Sequence, residues 1–180
     1  WTFEGANPAS STLQNPTNIV YANAGSFDVS LTVSDGTNNQ TITKENYITA
    51  SVDYLMQNTT ITTCNGVFYD SGGPSSTYDE DFTMTFLPGQ SGAMIVCEFV
   101  SFSIEDEPDC DYDWLKVYNG PNASSTLMGT YCGTNSPGTV TAANTQGALT
   151  FVFHSDVSVT ESGWEANISC SGGILPPVAD

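Results

Sequence analysis

The chain has 180 residues, of which 20 are acidic and only two, Lys44 and Lys116, are basic, giving a net charge of −18. Nucleic acid is not expected as a partner, because neutralising phosphates takes clustered Lys and Arg; an anionic membrane surface would repel the chain, whereas divalent cations and basic protein surfaces would be attracted. No run of about 18 apolar residues occurs, so no transmembrane helix or membrane insertion is expected.

The opening "WTFEG" reads as the interior of a domain, so a mature piece or fragment of a longer protein is expected, with any export signal outside it. "SFDVSLTVS" (26–34) alternates Phe27, Val29, Leu31 and Val33 on one face between "NAG" and "DGTNN", which predicts a strand bounded by turns. "TITKENYITA" reads as the next strand. Residues 52–63 contain no Pro or Gly, and a linker or the first strand of a following domain are both open there. "FTMTFLP", "AMIVCEFVSFSI", "WLKVYNG", "TLMGTYCG", "ALTFVFHSD" and "GWEANISC" continue as short strands separated by turns. Trp114 and Trp164 sit within this pattern and are expected in the core. No stretch has helical periodicity, and the whole predicts an all-β sandwich protein. The tail 171–180, "SGGILPPVAD", is Gly- and Pro-rich and reads as a linker towards a further module.

The five cysteines, Cys64, Cys97, Cys110, Cys132 and Cys170, include no CxxC pair, and His154 is the only histidine. Disulfides in an oxidising compartment are therefore the better reading than a structural zinc site. The odd count leaves at least one thiol unpaired or paired with another chain. Cys97 alternates with Ile95 and Phe99, away from Glu98, which suggests a buried thiol acting as a small hydrophobe. Around Cys110 the run "EDEPDCDYD" packs Glu105, Asp106, Glu107, Asp109, Asp111 and Asp113 into nine positions. Carboxylates converging without a cation would repel one another. Calcium, which takes six to eight hard oxygen ligands, would relieve that; a solvated acidic loop is the alternative.

Two family resemblances refine this. "WTFEGANPASS", "NPTNIVYANAGSFDVSLTVSDG" and "TKENYITA" resemble the later strands of a PKD domain, an immunoglobulin-like module. Residues 1–51 are thus expected to form a partial β-sandwich with Trp1 and Phe3 in its core. Its opening strands would either precede Trp1 or come from a neighbouring copy by strand addition. Residues 64–170 resemble a bacterial CUB domain through "CNGVFYDSGGPSSTYDEDFTMTFLPG", "FVSFSIE", "CDYDWLKVYNG", "LMGTYCGTNSPGTV", "GALTFVFHSD" and "SGWEANISC", in family order. The resemblance implies a CUB-like jelly-roll sandwich holding Ca2+ through Glu105, Asp113 and Asp156. It further implies a backbone carbonyl at Val157 or Ser158, with Tyr78 steadying the ligands. It also implies disulfides Cys110–Cys132 and Cys64–Cys170, with Cys64–Cys97 as the alternative to the second. Asp106, Glu107, Asp109 and Asp111, unmatched to ligands, are expected as an acidic rim for a partner's Lys or Arg.

The "HSD" run at 154–156 cannot be a serine triad, because consecutive strand residues alternate faces. No enzyme is expected in this segment. The expected function is a non-catalytic adhesion or assembly module of a secreted or cell-surface bacterial protein, an adhesin or extracellular filament. Its partner would be a protein, a neighbouring copy or a glycan. The alternative is an accessory substrate-binding region of a secreted protease or other hydrolase.

Overall fold

The computed structural model describes residues 1–78, 81–156 and 158–173. Val157 and the tail 174–180 lie outside the described residues. The chain divides into two compact units, Trp1–Val52 and Asp53–Asp180.

In the first unit, β1 (Thr2–Phe3), β4 (Gly25–Ser34) and β5 (Asn39–Ala50) form an antiparallel sheet in the order β1-β4-β5. A short ribbon, β2 (Ala6–Asn7) with β3 (Val20–Tyr21), accompanies it. The β4–β5 hairpin closes on Asp35, whose carboxylate accepts the Thr37 and Asn38 N–H groups at 2.8 and 2.7 Å. Val29 pairs with Lys44, Leu31 with Ile42 and Val33 with Gln40, so one face of the hairpin is largely apolar. Ser30–Thr43 and Thr32–Thr41 make the other face polar. The register shifts between Phe27 and Val29, where Asn46 takes a positive φ and donates its N–H to Asp28 at 2.7 Å. Phe3 is buried as expected, but Trp1 is only half-buried.

The second unit is a sandwich of two five-stranded sheets. Its strands are β6 (Asp53–Leu55), β7 (Thr59–Thr63), β8 (Asn65–Tyr69), β9 (Phe82–Pro88), β10 (Ala93–Ser103), β11 (Trp114–Asn119), β12 (Thr126–Tyr131), β13 (Thr139–Thr141), β14 (Leu149–His154) and β15 (Gly163–Gly172). One sheet runs β13-β10-β15-β8-β6 and the other β12-β11-β14-β9-β7. Residues 53–63 supply one strand to each sheet, β6 pairing in parallel with β8 and β7 with β9. Between the sheets Phe68, Phe86, Phe151, Phe153 and Trp164 pack edge-on or tilted, with centroids 5.1–6.0 Å apart.

Trp114 departs from expectation. Strand β11 buries Leu115 and Val117, so alternation turns Trp114 and Lys116 to the outer face. There Lys116 Nζ lies 3.8 Å from the Trp114 ring centroid and His154 packs at 5.3 Å.

Candidate metal centre

Strand β11 begins where its neighbour β14 ends, because Trp114 pairs with His154. Asp113, just before β11, and Asp156, two residues past β14, therefore emerge at the same end of one sheet. Glu105 reaches that end from the other sheet, two residues beyond β10. A bulge between Phe99 and Ser101 changes the parity of β10: Ile95, Cys97 and Phe99 point inward before it, Phe102 and Ile104 after it. Ile104 is thereby locked in the core, and Glu105 begins the acidic loop. Ile104 N–H donates to the Gly133 carbonyl at 3.0 Å and Gly133 N–H to the Glu105 carbonyl at 3.1 Å.

One carboxylate oxygen from each of Glu105, Asp113 and Asp156 lies within 4.8 Å of the others. Glu105 and Asp113 are buried, and Asp156 is exposed. Asp113 Oδ1 accepts the Asp156 N–H at 2.9 Å. Asp156 Oδ1 accepts the Ser158 N–H and hydroxyl at 2.9 and 2.7 Å. Glu105 Oε2 and Asp113 Oδ2 are buried with no hydrogen-bond partner among the described residues. A buried anionic oxygen without a donor is costly. Lys116, the one lysine of this unit, does not relieve it, because it rests on Trp114. An oxygen-only donor set suits a hard cation such as calcium.

The electrostatics agree. Burial raises the Glu105 pKa above the ordinary carboxylate value, with the charges of Asp156, Asp113 and Glu107 adding to it. Hydrogen bonds from the Ser158 hydroxyl and N–H lower that of Asp156. The Tyr78 hydroxyl accepts the Glu105 N–H at 2.9 Å, and burial, followed by hydrogen bonding to Asp113, drives its pKa far up. Tyr78 is therefore a fully buried group that anchors the Glu105 backbone beside Asp113.

Of the expected rim, Asp106, Asp109 and Asp111 are exposed. Glu107 instead turns inward on its own loop, where Oε2 accepts the Asp109 and Asp111 N–H groups at 3.0 and 2.8 Å. That role escaped the sequence reading, although the Glu-Pro-Asp spacing of a tight loop was its signal. Cys110 pairs with Cys132, and Cys64 with Cys170, with Cα separations of 5.5 and 4.9 Å. Cys97 is a buried free thiol.

A family model of the CUB domain matches residues 57–168. Rattus norvegicus neuropilin-2 is 32% identical over 112 residues, 58% of this chain and 12% of that protein. Canis lupus familiaris cubilin is 33% identical over 115 residues, 62% of this chain and 3% of that protein. The chain thus spans only a small part of these curated relatives. The CUB1-EGF-CUB2 domain of human MASP-1/3 superposes with a TM-score of 0.54 and 26% identity, covering 64% of this chain and 43% of that one. The MASP-1 CUB2 domain bound to Ca2+ superposes with a TM-score of 0.51 and 25% identity, covering 63% of this chain and 98% of that one. The match over residues 57–168, on a β-sandwich with these acidic residues at one end, places the chain in the CUB domain family, whose members are extracellular protein-interaction modules.

Proposed function

We propose that the second unit is a non-catalytic contact module whose acidic end is stiffened by calcium, and that it works in adhesion or assembly outside the cell. Glu105, Asp113 and Asp156 would hold the ion, with the Ser158 backbone carbonyl as a further ligand and Tyr78 fixing the first two carboxylates. The two orphaned carboxylate oxygens, Glu105 Oε2 and Asp113 Oδ2, carry this reading. The similarity to a CUB2 domain whose structure was determined with Ca2+ supports it. Bound there, the ion would neutralise the carboxylates and join the ends of the two sheets. The outward Asp106, Asp109 and Asp111 would then present a defined acidic edge to a basic partner surface.

The two disulfides fit a secreted or surface-exposed setting. The first unit, with its alternating β4–β5 hairpin, fits the later strands of a PKD-like module, and a bacterial adhesin or extracellular filament is the parent we infer.

Calorimetric titration with calcium tests the site, alongside thermal melts in calcium and in chelator, on the wild type and on Asp113→Ala. One bound calcium, a higher melting temperature with the ion, and loss of both in the variant are expected. No binding at millimolar calcium would leave the carboxylates as a solvated surface and end this assignment.

A further inference from the structure

A recess of about 430 Å³ opens on the outer face of the β13-β10-β15-β8-β6 sheet, where β15 begins. The strand register sets Ser101 against Glu165 and Glu165 against Tyr69, a row across three strands. Glu165 faces outward because its neighbours Trp164 and Ala166 are buried. Ser101 joins it because the bulge after Phe99 turns Phe102 inward instead. The 3-10 turn Gly73–Ser75 and the residues after it complete the lining with Ser162 and Trp164. Asp70 ties that turn to Trp164, since its carboxylate accepts the Gly72 and Trp164 backbone N–H groups at 2.8 and 3.1 Å. Trp164 is 2% exposed, yet its indole N–H has no acceptor among the described residues. A buried donor left unpaired is costly, and it calls for an acceptor.

We propose that this recess binds a neutral sugar. The chemistry of the lining selects that class. Among the described residues no Lys, Arg or His lines it, so a phosphate, sulfate or carboxylate ligand would meet only repulsion in a chain of net charge −18. Six hydroxyls do line it, from Tyr69, Ser75, Ser76, Thr77, Ser101 and Ser162, and each can both donate and accept. Sugar hydroxyls do the same, whereas an aliphatic ligand would leave them unpaired. A Lys or Arg side chain would suit Glu165, but ammonium and guanidinium groups only donate. Such a ligand would leave the Trp164 indole without an acceptor, which a sugar oxygen supplies. Glu165 would accept from adjacent sugar hydroxyls, and the Tyr69 ring beside it would pack against the sugar's C–H groups. Burial, then the charges of Glu165 and Asp53, raise the Tyr69 phenol pKa, so its hydroxyl stays available as a donor. The volume lies within the usual range for small-molecule sites and suits one or two sugar rings.

The recess goes beyond the contact-module reading and shares no residue with the carboxylate cluster, so the two fail separately. The chain's three tryptophans give three indole N–H signals in a nitrogen-15 correlation spectrum of the full chain. Trp1→Phe and Trp114→Phe remove two of them and leave Trp164 assigned. Glucose, galactose, mannose, N-acetylglucosamine and their disaccharides are titrated to about 50 mM, in calcium and in chelator. At least one should shift the Trp164 signal saturably in both buffers, with a dissociation constant in the millimolar range, and leave Trp1 and Trp114 in place. Glu165→Ala should weaken that binding about tenfold. Ser101→Trp should abolish it by filling the recess; Ser101 is exposed, and an otherwise unchanged spectrum checks the fold. Nα-acetyl-lysine amide, the probe for a basic side chain, should not move the Trp164 signal. No sugar shifting that signal, a shift that survives Ser101→Trp, or binding of the lysine probe in place of the sugars would overturn the proposal.

Discussion

Asp70 shows how much one buried carboxylate organises. It is fully buried, accepts the Gly72 N–H at 2.8 Å and the Trp164 N–H at 3.1 Å, and so ties the 70–73 turn to the start of β15. It reaches Trp164 because Gly163 stands aside: φ there is +70°, and a Cβ would lie 1.9 Å from Asp70 Oδ2. Gly138 is a matched control, with φ +64° and open space around it. Gly138→Ala should therefore lose only the cost of a left-handed backbone, about 1 kcal/mol. Gly163→Ala should lose that and the Asp70 contacts together, about 3 kcal/mol or more. Chemical denaturation of the two variants measures the difference, and equal losses would show that Asp70 is not held by this close approach. Cys97 is the contrasting buried group: it makes no polar bridge, and burial drives its thiol pKa well up. A thiol reagent should label nothing in the native protein and one cysteine per chain in denaturant.

The strands were largely legible in the sequence because alternation and turn residues are local signals. Phe82–Pro88 and Trp114–Asn119 follow their apolar patterns closely. What alternation could not give was parity across an irregularity. "CEFVSFSIE" reads as one strand, yet the bulge after Phe99 transfers the inward register to Phe102 and Ile104. Trp114 was misjudged for a related reason. Its size favours burial, but its inward neighbours Leu115 and Val117 fix the outward side for it. The three carboxylates come from positions up to 51 apart in the sequence, and periodicity does not report such convergence; only the family resemblance suggested it. Between Glu105 and Asp113 the loop relies on two ties, Glu107 within it and Cys110–Cys132 to the end of β12. The bridge closes a loop of about 22 residues, and removing it should cost about 3 kcal/mol through the unfolded state. Cys110→Ser/Cys132→Ser should also weaken calcium binding, because the loop must then be ordered by the ion. Calorimetry on the double variant checks this, and unchanged affinity would mean that Glu107 alone suffices.

At the scale of the whole chain the two units differ in how their apolar surface is closed. The second buries a continuous aromatic core between two five-stranded sheets, and Cys64–Cys170 joins the start of β8 to β15. The first has one amphipathic sheet with Ile42, Val33 and Tyr47 still in water, so it gains less from burial per ordered residue. Stability should therefore be uneven, and heating should melt the first unit before the second. Differential scanning calorimetry should resolve two transitions. The upper one should rise with calcium and fall on reduction of the disulfides, since the carboxylate cluster and both bridges belong to the second unit. The lower one should ignore both treatments, since neither the carboxylate cluster nor the bridges lie in the first unit. A single transition moved by calcium as a whole would mean that the units melt cooperatively.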